Sequence, residues 1–237
     1  MTVSTLTPPL RLRLLDVFDL RLGAVPIHVP LPAQRLLAFL ALHRGTVHRR
    51  VVAGTLWSEL EDRAAAARLR STLWRLPGTG DTTLVDVLDG RVRLAPDVQV
   101  DLHVVEDDSR VRELCVTDLA GEVLSDWDDP WVCVERERFR QVRLRRLEQL
   151  SDHARASGDL EQALHAALCA VKVEPLRESA HRRVMAAHLA EDNPAEALRQ
   201  FDVVRRLLRD QLGIAPSDAT RSLVGGLLGR PLDLLAG

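Results

Sequence analysis

Apolar positions follow two rhythms along this chain, and the change between them divides it. In RLRLLDVFDLRLGAVPIHVP (residues 11–30), Leu12, Leu14, Val17, Leu20 and Leu22 alternate imperfectly with polar positions, and Gly23-Ala24 and Pro26 interrupt them. That pattern predicts a small β-hairpin or meander. Helical spacing follows: Leu36, Leu37, Leu40 and Ala41 mark the buried stripe of a helix from Pro32 to His43, broken at Arg44-Gly45. Val51, Val52, Leu56 and Trp57 mark a second helix from His48 to Leu60. Gly54 inside it costs about 1 kcal/mol relative to alanine, which calls for a packing reason. The third helix is RAAAARLRSTLWRL (63–76). Wound at about 100° per residue, it places Ala66, Leu69, Leu73 and Leu76 on one face and turns Arg63, Ala67, Arg70, Ser71, Trp74 and Arg75 away. After Pro77-Gly78-Thr79-Gly80, the runs TTLVDVL and RVRLA flank Asp89-Gly90, a dipeptide suited to the positive φ angles of a two-residue hairpin turn. Sheet, three helices and hairpin are the order of a winged helix-turn-helix, here spanning residues 10–104.

From Trp131 onward the pattern is helical. A comparison at a spacing of 34 residues aligns GDLEQAL (158–164) with DNPAEAL (192–198), superposing Ala163 on Ala197 and Leu164 on Leu198. Thirty-four residues is the tetratricopeptide period, in which paired helices stack because one pair cannot bury its own apolar face. Helices are expected at 134–156, 159–173, 177–190, 194–210 and 217–228. Pro175 and Pro216 each follow a helix end but stand 41 residues apart, so about seven residues (DQLGIAP) break the strict repeat. The expected fold class is therefore an α+β winged helix-turn-helix domain (10–104), a linker (105–125) and an all-α tetratricopeptide-like helical repeat domain (126–229).

Charge sharpens the division. The net charge is −2, yet residues 31–80 carry eight arginines against Glu59, Glu61 and Asp62, a surplus of +5, while residues 106–237 carry 19 basic against 24 acidic side chains. A basic first half and an acidic second half suit a DNA reader joined to a protein-interaction module. Lys172 is the only lysine and tyrosine is absent, a bias that fits a very GC-rich genome. Cys115, Cys133 and Cys169 are odd in number and lack metal-ligand spacing, so free thiols in a reducing compartment are expected. No window approaches an 18-residue apolar span, and MTVSTLTPPLRL lacks the features of a secretory signal, so the expected location is the cytoplasm, without membrane attachment.

The outward face of the third helix is slim and basic. Small residues let a helix approach a groove closely, arginine can bond guanine edges or phosphates, and Ser or Thr can contact either. A basic amphipathic helix taken alone is more often a solvated surface helix. Context favours the groove, because LPAQRLLAFLALHRGTVHRRVVAGTLW, RAAAARLRSTLWRL and GRVRLAPDVQVDLHVVE resemble the OmpR/PhoB-type winged helix of the Streptomyces antibiotic regulatory protein (SARP) family. DWDDPWVCVERERFRQVRLRRLEQL (126–150) and LRDQLGIAPSDATRSLVGGLL (208–228) are similar to the opening and close of the bacterial transcriptional activator domain of that family.

The resemblance implies a transcriptional activator of a secondary-metabolite, or antibiotic, gene cluster. It would bind direct repeats beside the −35 element as a homodimer on double-stranded promoter DNA, and contact RNA polymerase through its sigma factor and alpha C-terminal domain. By the same resemblance Arg70 and Arg75 read base edges, and Ser71 and Thr72 contact bases or phosphates. Arg63, Arg68, Arg91 and Arg93 meet mainly phosphate or the minor groove, while Arg49 and Arg50 lie near phosphates at the start of the second helix. The chain departs from the family pattern in having His48 where a serine-like N-cap is usual, and acidic residues Asp86 and Asp89 in the wing. Trp74 is open between packing against the linker or second domain and van der Waals contact with a thymine methyl or sugar.

Catalytic patterns are not found. The one lysine sits in Val171-Lys172-Val173, outside any P-loop, so ATPase-fused family members are a poor guide. His181 and His188 lie two turns apart without a third ligand in register, a poor zinc site. Glu135 and Glu137 stand among arginines as helix ion pairs rather than an acid–base couple. No Gly-x-Ser-x-Gly elbow appears, and without an acidic receiver pocket before the winged helix, phosphorylation of an attached receiver is not the expected input. The expectation is a non-enzyme without cofactor or metal; the alternative is an interaction or effector-sensing adaptor whose winged helix is degenerate.

Overall fold

The alternating segment at the start of the chain folds as a meander of β1 (Leu10–Arg13), β2 (Asp19–Leu22) and β3 (Val25–Pro26). The computed structural model describes residues 8–78 and 83–228, which form two units: residues up to 106 with 121–137, and residues 107–120 with 138 onward. The expected loop residues Thr79 and Gly80, Thr82 of the expected strand, and residue 229 lie outside the described residues.

In the first unit, α1 (Leu31–His43) follows the meander, with Pro32 in its first turn and Arg44 ending it at a left-handed φ of 49°. Next come β4 (Val47–His48), α2 (Arg49–Leu56), α3 (Asp62–Trp74), the hairpin β5 (Val85–Leu88) and β6 (Arg91–Leu94), β7 (Val98–Val100) and α4 (Asp101–Glu106). The two-residue β4 pairs with β6, so the expected hairpin is a three-stranded sheet in the order β4-β6-β5. Strand β7 joins the meander beside β1, in parallel, giving the order β3-β2-β1-β7. Leu36, Phe39 and Leu40 of α1, Val52, Leu56 and Trp57 at α2, Ala65 and Leu69 of α3 and Val92 of the hairpin form one buried cluster. Asp101 fastens the end of β1 to the start of α4, accepting hydrogen bonds from Leu14 N (3.0 Å), Leu15 N (2.9 Å) and Leu102 N (2.8 Å). Burial pushes its carboxyl above the ordinary aspartate value, with those bonds opposing the rise.

The stretch expected as a linker is divided between the units. Residues 107–120, with 3-10 turns at Asp108–Glu113 and Val116–Leu119, belong to the helical unit, and residues 121–137 return to the first. Leu124 N donates to Leu14 O (2.8 Å) and Asp16 N to Glu122 O (2.7 Å). Trp127 stacks on Phe18 at 6.3 Å, Trp131 meets Phe39 edge-on at 5.5 Å, and Arg35 pairs with Asp129 at 2.5 Å. Arg136 closes the segment, donating to the carbonyls of Val123 (2.8 Å), Leu124 and Trp127 (2.5 Å). Gly121 is obligatory there: its φ is +86°, and a Cβ would collide with the Asp16 carboxylate.

The second unit is helical: α5 (Pro130–Ser157, whose first residues belong to the first unit), α6 (Leu160–Val173), α7 (Glu178–Ala190), α8 (Pro194–Leu212) and α9 (Asp218–Leu228). The 34-residue repeat has a structural counterpart at each step. Gly158 (φ 85°) and Asp192 (φ 54°) both take left-handed turns. Asp159 and Asn193 then cap α6 and α8 by accepting from Gln162 N and Glu196 N. Ala163 and Ala197 are both fully buried. Small side chains at these positions let successive helices pack closely, and α7 packs against α6, α8 and α9.

Polar anchors set the helix register. Burial works against the Glu148 carboxylate, but Arg177 (2.8 Å), Ser179 and Arg183 hold it ionised, below the ordinary glutamate value. His181 is fully buried, with Nε2 donating to Pro175 O (2.8 Å) and Nδ1 accepting from Gln200 Nε2 (2.6 Å). That is the packing role weighed against a metal ligand. Burial lowers the His181 value, and likewise that of His103, whose Nε2 donates to Ala41 O (2.8 Å) in the first unit.

Both histidines therefore favour the fold above the ordinary value of about 6.5. Below it the unfolded chain takes up protons that the folded one resists, so stability is lost as pH falls from about 6.5 through the depressed folded values. The midpoint of thermal unfolding should drop between pH 7.5 and pH 5.5. His103→Gln and His181→Gln together should flatten that slope; an unchanged slope would remove both groups from the pH dependence.

Candidate nucleic-acid interface

Two helices and a hairpin tip make up the basic face. Helix α2 starts without a serine, but His48 does the same work, its Nδ1 accepting from Arg50 N at 3.2 Å. The departure from a serine-like N-cap thus leaves α2 with a side-chain cap of a different chemistry. Arg49 N donates to Gly90 O (2.9 Å), joining the start of α2 to the wing turn. In that turn Asp89 (φ 38°) and Gly90 (φ 78°) are both left-handed, as the Asp-Gly signal requires.

Helix α3 is rotated by about one residue from the expected stripe. Ala65, Leu69 and Thr72 are its buried positions, with Leu73 packed at their edge and Ala66 only half-buried. Thr72, expected at bases or phosphates, is 5% exposed, and its hydroxyl donates to Arg68 O at 2.9 Å. That internal bond satisfies the hydroxyl and lets a polar residue enter the core, so Thr72 leaves the candidate set. Ser71 is half-buried, whereas Arg63, Arg68, Arg70, Trp74 and Arg75 are exposed. Helical spacing aligns Arg63, Ala67, Arg70 and Trp74 along one line and sets Arg68 and Arg75 on the opposite flank, with Ser71 between them. Trp74 is 86% exposed, which removes packing as its role within the first unit.

In the wing, Arg93 faces Asp86 across β5 and β6 and pairs with it at 2.8 Å. Its charge is thus offset by a carboxylate, a cross-strand pairing that only the register reveals. Arg91 is exposed at the tip, donating Nη1 to Thr46 O at 3.3 Å. Elsewhere in this unit Arg13, Arg21, Arg35 and Arg44 are each engaged by an acid. By contrast Arg50, Arg63, Arg68, Arg70 and Arg75 are exposed and make no ion pair among the described residues. Of the exposed arginines of this unit that make no ion pair among the described residues, these five stand at α2 and α3, while Arg91 lies at the wing tip and Arg11 on β1. Between these helices lies a cleft of about 480 Å³ lined by Arg49, Arg50, Asp62, Arg63 and Arg70 around Ala53, Gly54, Ala65, Ala66 and Leu69. Sequence spacing alone does not reveal it, since its walls come from two helices.

Among the described residues no helix is long and apolar enough to cross a membrane.

Comparison with known proteins finds similarity in both halves of the chain. Residues 117–228 match the bacterial transcriptional activator domain. Regulatory protein AfsR of Streptomyces coelicolor is 31% identical over 222 residues, covering 81% of this chain and 21% of that protein, so the chain spans about a fifth of its relative. Among solved structures, Mycobacterium tuberculosis EmbR in complex with a low-affinity phosphopeptide shares the fold with a TM-score of 0.79 at 20% identity, over 96% of this chain and 68% of that one.

Proposed function

We propose that the chain is a transcriptional regulator of the SARP type, a reading supported by its match to the bacterial transcriptional activator domain and its likeness to AfsR, and that it binds promoter DNA sequence-specifically through α3 and activates transcription. The observation that carries this reading is that Arg50, Arg63, Arg68, Arg70 and Arg75, at α2 and α3, are exposed and make no ion pair among the described residues. Cations left unneutralised on one face attract a polyanion and release its counterions on binding.

In the proposed complex α3 enters the major groove. Arg70 and Arg75 contact base edges, and Ser71 a base or phosphate. Arg63, Arg68, Arg49 and Arg50 meet the backbone, and Arg91 at the wing tip touches the neighbouring strand. Exposed Trp74 supplies apolar contact to a thymine methyl or sugar. Two copies on direct repeats about one helical turn apart would lie on the same DNA face. The helical unit then engages RNA polymerase beside the −35 element, through the sigma factor and the alpha C-terminal domain. A secondary-metabolite cluster is the proposed target.

A salt titration on the chain's own upstream duplex tests the DNA assignment. The logarithm of the association constant should fall against the logarithm of salt with a slope of about −3 or steeper, at roughly −0.9 per phosphate neutralised. Weak binding with a shallow slope at every salt concentration would instead favour an adaptor with a degenerate winged helix.

A further inference from the structure

A second pocket of the first unit, of about 350 Å³, takes no residue from α2 or α3 and lies between the turn that ends α1 and the connection from β6 to β7. Buried Leu40, Ala95 and Val98 give it an apolar floor, and Arg44, Arg93 and His103 supply polar groups around that floor. An apolar hollow with a few convergent polar groups is the ordinary form of a small-molecule site, and this volume is at the small end of a range of about 300 to 1,000 Å³. The protein uses those polar groups only in part. His103 gives Nε2 to Ala41 O, which leaves Nδ1 as an acceptor with no hydrogen-bond partner among the described residues. Arg44 pairs with Glu106 through Nη2, and Arg93 spends Nε and Nη2 on Asp86. Each guanidinium carries further N–H donors beyond those bonds.

We propose that this pocket binds a small aromatic hydroxy acid, whose carboxylate accepts from Arg44 and Arg93 and whose hydroxyl donates to His103 Nδ1. The unused groups select the class. Guanidinium donors hold a carboxylate by charge-assisted bonds, an acceptor without a partner calls for an O–H, and an apolar floor of this size suits one or two rings. Burial lowers the His103 value, which keeps the imidazole neutral and Nδ1 able to accept near neutral pH. The pocket is also joined to the wing. Thr46, another of its lining residues, accepts through its carbonyl from Arg91 Nη1 at the wing tip (3.3 Å), and Arg49 N at the start of α2 donates to Gly90 O (2.9 Å) in the wing turn. A bound carboxylate adds negative charge beside Arg93, two residues from the wing-tip Arg91, where the proposed complex brings phosphate. The ligand therefore weakens DNA binding, and DNA weakens ligand binding by the same factor. That coupling rests on the DNA-binding reading above, whereas the pocket and its ligand class do not.

The test starts with calorimetric titration of the intact, DNA-free chain. The probe 6-hydroxy-2-naphthoate should fill one saturable site, and 2-naphthoate and 2-naphthol, each lacking one polar group, should bind at least about fivefold more weakly. Two variants address the site itself. Gly45 lines the pocket without a left-handed φ, and a Cβ on it would meet only His43 O, at 3.8 Å. Gly45→Trp should therefore keep the thermal midpoint of wild type and lose about tenfold or more in probe affinity by obstructing the pocket. Arg93→Gln, which removes one guanidinium, should lose at least about fivefold. Saturating probe should weaken wild-type binding to the upstream duplex about fivefold and leave Gly45→Trp unaffected. No saturable binding by wild type, or equal affinity for all three compounds and in both variants, would overturn the site. Saturable binding that leaves duplex affinity unchanged would overturn the coupling. A wild type that binds the probe but no duplex at any salt concentration would retire the DNA-binding reading and leave the pocket standing.

Discussion

Replacing Arg70 or Arg75 by alanine should weaken binding to the promoter duplex by about 1 to 3 kcal/mol each, roughly 5- to 150-fold in Kd, without shifting the thermal midpoint. Both side chains are exposed and make no ion pair among the described residues, so truncation removes no contact that holds the fold. The loss should also be uneven across sequences. A guanidinium bonded to a guanine edge discriminates among base pairs, whereas one on a phosphate weakens all sites alike. Arg68→Ala provides the contrast, because its proposed phosphate contact predicts a smaller and sequence-independent loss. Fluorescence anisotropy on the cognate duplex and on single-base variants separates the two patterns. Equal affinity of all three variants for every duplex would remove α3 from the groove.

The opposite face of the same helix should respond in the opposite way. Leu69 is 1% exposed in the cluster formed with Leu36, Phe39, Val52, Leu56 and Val92, and Leu69→Ala should destabilise the first unit by about 2 to 5 kcal/mol. Against the roughly 5 to 15 kcal/mol that holds an ordinary domain, this is a large fraction, and the thermal midpoint should fall by about 10 °C or more. Where Leu69→Ala remains folded, its affinity for the duplex should stay close to that of wild type. A variant that keeps its midpoint but loses binding would place Leu69 on the reading face and invert the orientation of α3.

Most of the architecture is legible in the sequence because it depends on periodic burial. The helices of the second unit start and end within a few residues of their expected bounds. The 34-residue repeat identifies equivalent turns, caps and buried alanines at Gly158/Asp192, Asp159/Asn193 and Ala163/Ala197. The Asp89-Gly90 turn follows from two residues that tolerate positive φ. What stays hidden depends on pairing between distant segments. Strands β4 and β7 have two and three residues, too few to show an alternation, and exist because β6 and β1 offer them partners. Residues 121–137 read as part linker and part helix because their hold on the first unit is made by backbone bonds, two tryptophans and Arg136 rather than by an apolar period.

The candidate site divides in the same way. The exposed arginines of α3 follow from helical geometry once one face is buried, but the expected phase of that face is off by one residue. Counting leucines favours Leu73 and Leu76, while the helix buries Ala65 and Thr72 beside Leu69. A threonine that satisfies its own hydroxyl against Arg68 O is invisible to a hydropathy pattern. The neutralisation of Arg93 by Asp86 is a matter of strand register. Gly54 reads in the sequence as a cost in search of a packing reason, and the structure supplies none, since a Cβ built there would meet nothing within 4 Å.

The central claim, that α3 reads base sequence, is tested most directly by selecting bound duplexes from a randomised pool with wild type and with the Arg70→Ala, Arg75→Ala double variant. Wild type should enrich a defined motif, and the double variant should still bind duplex through its remaining cations but lose preference at particular base pairs of that motif. Enrichment of the same motif by both proteins, or of none by wild type, would contradict it.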